Sequence, residues 1–93
     1  NYPNPFSSNT TFLFQHNINE LIDVSIKIYT VAGRLIKVID EYSISDKFVK
    51  IDWDGRDQDG SQIANGTYLY KLIVKSVDGK SNQNVLGKLA VYR

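Results

Sequence analysis

Apolar and polar residues alternate with a period of two along much of this chain, and this pattern constrains the fold more than any other feature. From residue 22 to residue 28, isoleucine or valine stands at every second position. A period of two predicts a strand with one buried face, and no long amphipathic helix competes with it. The other apolar positions that we expect to face a core are Phe12 and Phe14, then Val49, Ile51 and Trp53, then Tyr68, Tyr70, Leu72 and Val74, and finally Leu89 and Val91.

Turn residues separate these stretches. Ala32-Gly33 and Asp78-Gly79 each lie between two apolar runs, which is typical of tight β-hairpins. Gly66 lies at the start of the Tyr68 stretch, where we expect a positive φ or a close backbone approach. The stretch from residue 34 to 41 fits a strand or a short helix, and its flanking turns favour the strand. Strands recurring about every 10–14 residues predict an all-β, antiparallel sandwich of about six or seven strands.

Composition limits the function classes. The chain has 93 residues, of which 42% are apolar and 23% are charged, so we expect a single domain, residues 1–93, with one core. A net charge of +1, without a basic run, is too balanced for binding nucleic acid by phosphate neutralisation. No apolar run approaches the roughly 18–20 residues of a membrane helix, and the start has no secretory signal pattern. We therefore expect no nucleic-acid partner and no direct membrane insertion.

Two residue types are missing. Without cysteine the chain has neither disulfides nor thiolate metal ligands. Methionine is also absent, even at position 1, so we expect a piece of a longer protein. His16 is the single histidine, and no serine–aspartate pair is spaced to form a triad with it; a surface or edge position is its expected place. We predict a domain that is not an enzyme, with no cofactor and no small-molecule substrate.

Residues 52–60 form a loop with four aspartates. Loops that bind hard cations also alternate aspartate and end in glycine. Here the spacing departs from the EF-hand pattern, no bidentate glutamate follows, and Arg56 stands among the carboxylates. The structural interpretation is a turn in which aspartates cap backbone N–H groups and pair with Arg56. We favour this interpretation, with no metal, and keep calcium binding as the alternative.

The first eight residues are predicted to be an extended N-terminal segment. The sequence Tyr2-Pro3-Asn4-Pro5-Phe6 contains two prolines, which fix φ and favour extended conformations at the residues before them. Neither proline donates a ladder hydrogen bond. Two interpretations stay open, namely a linker whose Phe6 packs against the edge of the sandwich and a segment that a partner recognises or that marks a processing boundary.

Taken in order, these motifs resemble a known family. Tyr2-Pro3-Asn4-Pro5-Phe6 and the following Thr10-Thr11 resemble the opening of type A C-terminal sorting domains, which the type IX (Por) secretion system of Bacteroidetes exports. Residues 26–33, IKIYTVAG, are similar to that family's first hairpin, and residues 53–57, WDGRD, with 63–68, IANGTY, to its central segment. Lys71 and the last six residues fit its closing basic motif. The residues expected to form the structural motif are Gly33, Trp53, Asp54, Gly55, Gly66 and Tyr68.

The resemblance implies an immunoglobulin-like sandwich that acts as a non-catalytic secretion signal. In that family an outer-membrane β-barrel shuttle binds the signal, a translocon conducts the cargo across the outer membrane, and a cysteine-protease sortase cleaves upstream of the domain. The expected locations are therefore the periplasm in transit, then the outer-membrane surface or the extracellular space. We expect recognition to involve an edge of the sheet near a last strand that begins near Val85. The expected partner-recognition residues are Pro3, Asn4, Pro5, Phe6, Lys71, Lys88 and Arg93.

Two other functions remain open. The segment around Trp53 and Tyr68 is shared with the immunoglobulin-like domain of flagellar hook-capping proteins, which lacks the Pro-Asn-Pro opening. A structural or assembly module of a hook cap or cell-surface protein is therefore the first alternative. A calcium- or sugar-binding accessory domain is the second, suggested by the aspartate loop and by the eleven aromatic residues, six tyrosine, four phenylalanine and one tryptophan.

Overall fold

The computed structural model describes all residues, Asn1–Arg93, and contains strands but no helix. No segment is therefore a helix that could cross a membrane. The all-β antiparallel sandwich predicted from the sequence is confirmed, and it has six strands. Residues 34–41 contribute to a strand, as expected, and the last strand starts at Asn82, three residues before its predicted start near Val85. The strands are β1 (Thr10–Gln15), β2 (Ile22–Thr30), β3 (Leu35–Ile44), β4 (Phe48–Trp53), β5 (Gly66–Ser76) and β6 (Asn82–Val91).

The strands form two sheets of unequal size. One sheet has four strands in the order β3-β2-β5-β6, and the other pairs β1 with β4. All neighbouring strands are antiparallel. Both predicted hairpins are present, since Ala32-Gly33 lies in the turn between β2 and β3 and Asp78-Gly79 in the turn between β5 and β6. As a result β3 and β6 are the two edge strands of the larger sheet.

The core lies between the two sheets and is built from the alternating residues of each strand. Ile22, Ile26 and Ile28 of β2 are fully buried, and burying side chains of this size contributes about 1.5–3 kcal/mol each to stability. Phe14 and Tyr70 are half-buried at its margin. The buried apolar residues are Phe6, Phe12, Ile18, Ile22, Val24, Ile26, Ile28, Val49, Ile51, Trp53, Ile63, Tyr68, Leu72, Val74, Leu89 and Val91.

Tyr70 fixes the packing between β5 and β6. It lies opposite Gly87 in the register of the two strands, and a Cβ atom added at Gly87 would overlap the Tyr70 ring. Phe12 of β1 also contacts this ring in an edge-to-face arrangement, with ring centroids 5.1 Å apart, a favourable aromatic geometry. Glycine at position 87 therefore leaves the space that the Tyr70 ring occupies between β6 and Phe12 of β1.

His16 occupies a different environment from the one expected. It follows β1, a strand of the two-stranded sheet, and is only 8% exposed, so the expected surface position is wrong. The Nδ1 atom accepts a hydrogen bond from the Ile18 N–H at 3.2 Å, which leaves Nε2 to donate to the Asp46 carbonyl oxygen at 2.8 Å. The ring is buried because loop backbone satisfies both nitrogens, an arrangement that strand periodicity does not reveal.

Candidate functional site

The terminal strand β6 is an edge strand, as expected, because it pairs only with β5. In an antiparallel edge strand, alternate residues direct their N–H and C=O groups away from the sheet. The Lys88 carbonyl group and both backbone groups of Ala90 point outwards, since all three bond to residues outside the sheet. Alternation places the backbone groups of Asn84 and Leu86 on the same outer side. The two halves of this edge differ in what covers them.

The N-terminal segment, residues 1–8, covers the second half of the β6 edge. The Phe6 N–H donates to the Ala90 carbonyl at 3.0 Å, and the Tyr92 N–H donates to the Phe6 carbonyl at 2.9 Å. The side chain of Asn4 continues this pairing, since its Nδ2 donates to the Lys88 carbonyl at 3.2 Å and its Oδ1 accepts from the Ala90 N–H at 2.9 Å. The β6 edge is thus closed from residue 88 to residue 92.

The N-terminal segment is not extended along its whole length, in contrast to the expectation for residues 1–8. It bends at residues 3–5 and again at 7–8, and both X-Pro bonds are cis. Tyr2 exchanges two backbone hydrogen bonds with Thr11 of β1, at 2.7 and 2.8 Å, and the Pro3 carbonyl accepts from the Thr10 hydroxyl at 2.8 Å. The segment bends because it contacts β1 at Tyr2 and β6 at Phe6, and it links the edges of the two sheets.

Phe6 is part of the hydrophobic core. Its side chain is 2% exposed and meets the Trp53 ring edge-on. Gly55, at φ 73°, passes close behind it, so that a Cβ atom there would lie 3.1 Å from the Phe6 ring and 3.2 Å from the Arg93 guanidinium. These contacts agree with the interpretation in which Phe6 packs against the sandwich. Recognition by a partner through Pro3, Asn4, Pro5 or Phe6 stays a prediction.

Arg93 holds the end of the chain against the loop before β5. Its guanidinium group donates to the Ile63 carbonyl and approaches the Gly55 carbonyl at 3.5 Å. Its backbone pairs with the side chain of Asn65, whose Oδ1 accepts from the Arg93 N–H at 3.0 Å and whose Nδ2 donates to the Arg93 carbonyl at 3.2 Å. The guanidinium group is therefore hydrogen-bonded within the domain, although the residue as a whole is exposed. Recognition by a partner through Arg93 stays a prediction.

Lys71 and Lys88 lie on the outer face of the four-stranded sheet. Lys88 is exposed and Lys71 is half-buried. Lys71 is opposite Leu86 in the register of β5 and β6 and opposite Lys27 in the register of β2 and β5. Lys88 is therefore a diagonal neighbour of Lys71, at a typical separation of about 7–8 Å. The two predicted recognition lysines share one face, close to the β6 edge.

Five of the six residues of the expected structural motif, all but Gly33, lie in or beside the stretch that runs from the end of β4 to the start of β5. The Trp53 indole N–H donates to the Arg56 carbonyl at 3.0 Å, and the Asp54 carboxylate accepts from the Arg56 N–H at 3.1 Å. Tyr68 is buried, and its hydroxyl group donates to the Ala64 carbonyl at 2.7 Å. Gly66 has a φ of 151°, whereas Gly33, with a φ of 93°, lies apart from this loop in the turn between β2 and β3. These contacts fix the course of the chain between β4 and β5.

The aspartate loop has the capping contacts expected from the structural interpretation. Asp57 Oδ1 accepts from the N–H groups of Asp59 and Ser61, at 3.0 and 2.9 Å. The Arg56 guanidinium bonds to the Gly60 carbonyl at 2.8 Å, so its hydrogen-bond partner is a backbone oxygen where a carboxylate was expected. No group of three or more acidic or histidine side chains in the chain is arranged to hold a metal ion.

Comparison with known proteins identifies the family of this domain. The model of the FlgD Ig-like domain matches residues 4–80. The chain belongs to the FlgD Ig-like domain family. The matched part of this FlgD Ig-like domain ends before β6 begins, so the edge strand described above lies beyond the family match.

Solved structures and curated proteins contain similar segments within much longer chains. One similar solved structure is the crystal structure of dimeric latent PorU from Porphyromonas gingivalis. The alignment covers 97% of this chain and 9% of the PorU chain, with 30% sequence identity and a TM-score of 0.78. PorZ of the same organism, described as a surface component of the type-IX secretion system, aligns over 99% of the domain and 11% of PorZ, with 26% identity and a TM-score of 0.45. C5a peptidase of Streptococcus pyogenes is 54% identical over 28 residues, which are 30% of the domain and 2% of the peptidase.

Proposed function

We propose that this FlgD Ig-like domain is a non-catalytic sorting signal that directs its parent protein through the type IX secretion system to the cell surface. The observation that carries the proposal is the likeness to PorU, which extends over 97% of the chain at 30% identity. That coverage leaves only about three of the 93 residues unaligned. The similarity therefore takes in most of the N-terminal segment and of β6, in addition to the family core.

The order of the sequence motifs gives independent support. The Tyr2-Pro3-Asn4-Pro5-Phe6 opening, the hairpin at Gly33 and the segment from Trp53 to Tyr68 occur in the order found in type IX sorting domains. PorU carries by its name the Por designation of that secretion system. The opening motif also has a defined place in the structure, because Asn4 and Phe6 pair with the terminal strand.

On this proposal the domain is recognised as a folded unit in the periplasm. The outer-membrane shuttle would bind an exposed surface, and the sortase would cleave the chain before the domain, so neither step requires chemistry from the domain itself. Lys88, the half-buried Lys71 and the uncovered half of the β6 edge form the surface that best fits this role, since charged side chains near an interface steer encounter and set orientation. The parent protein would then reach the outer-membrane surface or the medium.

The second candidate is a structural module of a hook cap or cell-surface protein. The family match over residues 4–80 favours it, because an immunoglobulin-like spacer needs only a stable sandwich. The match includes neither the first three residues nor β6. The two candidates differ in whether the domain alone is sufficient to move a cargo protein.

The test is to append residues 1–93 to the C-terminus of a periplasmic reporter in a type IX-competent cell and in an isogenic strain without the translocon. We expect reporter at the surface or in the medium of the first strain only. A fusion carrying Trp53→Ala controls for the need of a folded domain, and a fusion with the domain at the N-terminus controls for position. A folded fusion that stays in the periplasm, or export that persists without the translocon, contradicts the proposal.

A further inference from the structure

We propose that residues 82–86 of β6 bind an extended strand of a partner protein in which acidic and apolar residues alternate. We call these five residues the open edge. This inference narrows the proposed function, because it names the segment through which the domain would be recognised and the chemistry of its partner. It follows from three observations, on the backbone, on the exposed apolar side chains and on the distribution of charge.

The backbone of the open edge has the geometry of a template for another strand. The Lys88 carbonyl group and the backbone N–H and C=O groups of Ala90 point away from β5. Because this orientation repeats at every second residue, the backbone groups of Asn84 and Leu86 also point outwards. The N-terminal segment bonds to this edge at the Lys88 carbonyl and beyond, but not before it. Proteins usually cover or blunt a long edge strand. Here the cover ends at the middle of β6.

Apolar side chains are exposed on both faces of the open edge. Leu86, on the outer face, is 77% exposed. Val85 points towards the inner face, opposite the buried Leu72, and is nevertheless 51% exposed. The smaller sheet has two strands against four, so it leaves this corner of the inner face uncovered. A strand added about 4.8 Å outside β6 would shield both side chains from water.

The charge around the open edge is positive on the outer face. Lys71 lies opposite Leu86, Lys88 follows two residues later, and Lys75 lies opposite Asn82. Neither β5 nor β6 contains a carboxylate. On this face Asp23 of β2 lies opposite Lys75, and Glu20 lines a pocket together with Asn82 and Gln83 at the start of the open edge. Side chains of an added strand alternate between the two faces. Those on the outer face meet lysines and those on the inner face meet Val85, which selects alternating acidic and apolar residues.

The same charges argue against a second copy of this chain as the occupant. Two copies paired through their open edges would form one continuous sheet, with Lys71, Lys75 and Lys88 of both copies on or near the same seam. Like charges directly opposite each other in a sheet are destabilising, and in such a pair no carboxylate of β5 or β6 would offset the lysines gathered near the seam. An acidic strand from another protein removes this repulsion and gives each lysine a counter-charge.

The probe for the test is a synthetic peptide of alternating valine and aspartate, compared with one of alternating valine and lysine. Both are titrated into the 93-residue chain, with binding measured by calorimetry and amide hydrogen exchange by NMR. We expect the aspartate peptide to bind at least about tenfold more tightly and to protect the amides of Asn84 and Leu86.

Leu86→Pro removes an N–H that β5 does not use, and proline is tolerated on edge strands, so this variant should fold and lose at least about tenfold in affinity for the aspartate peptide. Leu86→Thr, which keeps the N–H, should lose less.

A charge-reversed variant gives a result that misfolding cannot imitate. With Lys71→Glu and Lys88→Glu together, the chain should prefer the lysine peptide. Any one of four results overturns the inference. These are an unchanged preference of the charge-reversed variant for the aspartate peptide, full peptide affinity in Leu86→Pro, amide protection confined to another strand, and a dimer of the free chain. The peptide titration does not depend on export, so the two proposals can fail separately. If the reporter fusion is not exported but the chain binds the aspartate peptide, the sorting function is rejected and the strand-binding role of the open edge is retained.

Discussion

The Phe6 and Trp53 rings pack in an edge-to-face arrangement, with ring centroids 5.6 Å apart and planes inclined by 61°. Both side chains are buried, at 2% and 3% exposure. This contact joins the sixth residue of the chain to the end of β4. The N-terminal segment is therefore part of the folded core.

Trp53→Ala should destabilise the domain severely. Removing a buried aromatic ring leaves a cavity and costs about 3–5 kcal/mol, a large part of the stability of a small domain. The substitution also deletes the indole hydrogen bond to the Arg56 carbonyl. Chemical denaturation measures the loss, with Trp53→Phe as a control that retains most of the apolar volume. A melting temperature unchanged in Trp53→Ala would show that the ring does not support the core.

Gly66→Val should destabilise the domain through its backbone. Gly66 has a φ of 151°, which side-chain-bearing residues rarely adopt and which costs about 1–3 kcal/mol in strain. Of the two reasons expected from the sequence, positive φ applies and close approach does not, since no atom lies within 4 Å of an added Cβ. Thr67→Val, at the exposed neighbouring position, is the matched control and should change stability by less than about 0.5 kcal/mol. If Gly66→Val folds normally but is no longer exported, Gly66 belongs to the recognition surface.

Asn4→Ala should loosen the closed part of the β6 edge without disturbing the core. The side chain makes two hydrogen bonds to β6, and their loss in an exposed position should cost about 0.5–1 kcal/mol. Hydrogen exchange at the Ala90 amide should accelerate, whereas exchange at the β5 amides should not. Asn4→Asp keeps the acceptor for the Ala90 N–H but loses the donor to the Lys88 carbonyl, so this variant separates the effects of the two hydrogen bonds. Unchanged exchange at Ala90 would indicate that the side chain is dispensable for covering the edge.

The strands and the core were predictable from the sequence, whereas the closure of the edge was not. Alternation over residues 22–28 identifies the buried face of β2 because it is a local property. The two side-chain hydrogen bonds of Asn4 span sequence separations of 84 and 86 positions. The hydrogen bonds of Arg93 span separations of up to 38 positions. No periodicity within one sequence encodes such pairs. Nor does it encode a buried histidine satisfied by loop backbone, which is why the expectation for His16 failed.

Reversing the charge of Lys71 and Lys88 tests the recognition surface more cleanly than reversing that of Arg93. The sequence suggests Lys88→Glu with Arg93→Glu as a change that spares the core. In the structure the Arg93 guanidinium bonds to loop carbonyl groups, so Arg93→Glu would also place a carboxylate against those oxygens and weaken the fold. We expect Lys71→Glu with Lys88→Glu to melt within a few degrees of the wild type and to be exported poorly.

Arg93→Gln completes this comparison, because it should lower the melting temperature and leave export of the folded fraction unchanged. If the lysine double variant folds and is exported at the wild-type rate, recognition lies elsewhere. The segment of residues 3–6 would then be the next surface to test.

Glu20 and Asp78 should make stability depend on pH. Their mutual hydrogen bond, with a contribution from desolvation and charge repulsion, raises the pKa of Glu20, while the Ser76 hydroxyl and then the Lys80 N–H lower the pKa of Asp78. A raised pKa of Glu20 gives stability that is present below its unfolded value and is lost as the pH rises through the folded value. A lowered pKa of Asp78 gives stability that is present above its unfolded value and is lost as the pH falls through the folded one.

Glu20→Gln keeps a hydrogen-bond donor to Asp78 without a second negative charge. We expect this variant to melt above the wild type at neutral pH, and the difference to shrink as the pH falls through the raised pKa of Glu20. Thermal melts across this range measure the difference, with Glu41→Gln on β3 as a control away from Asp78. A difference that does not change with pH would contradict the assigned cause.

The pairing of residues 2 and 6 with different sheets determines how the domain responds to mechanical load. Tension applied at residue 1 acts first on the contacts with β1, namely the Asn1 side-chain bond to Thr10 and the two Tyr2–Thr11 bonds, and then on the Phe6 bonds to Ala90 and Tyr92. The ladder between β2 and β5, at the centre of the larger sheet, lies behind them. A pull from any chain joined at that end would therefore detach the first six residues and withdraw Phe6 from Trp53 before the central strands separate.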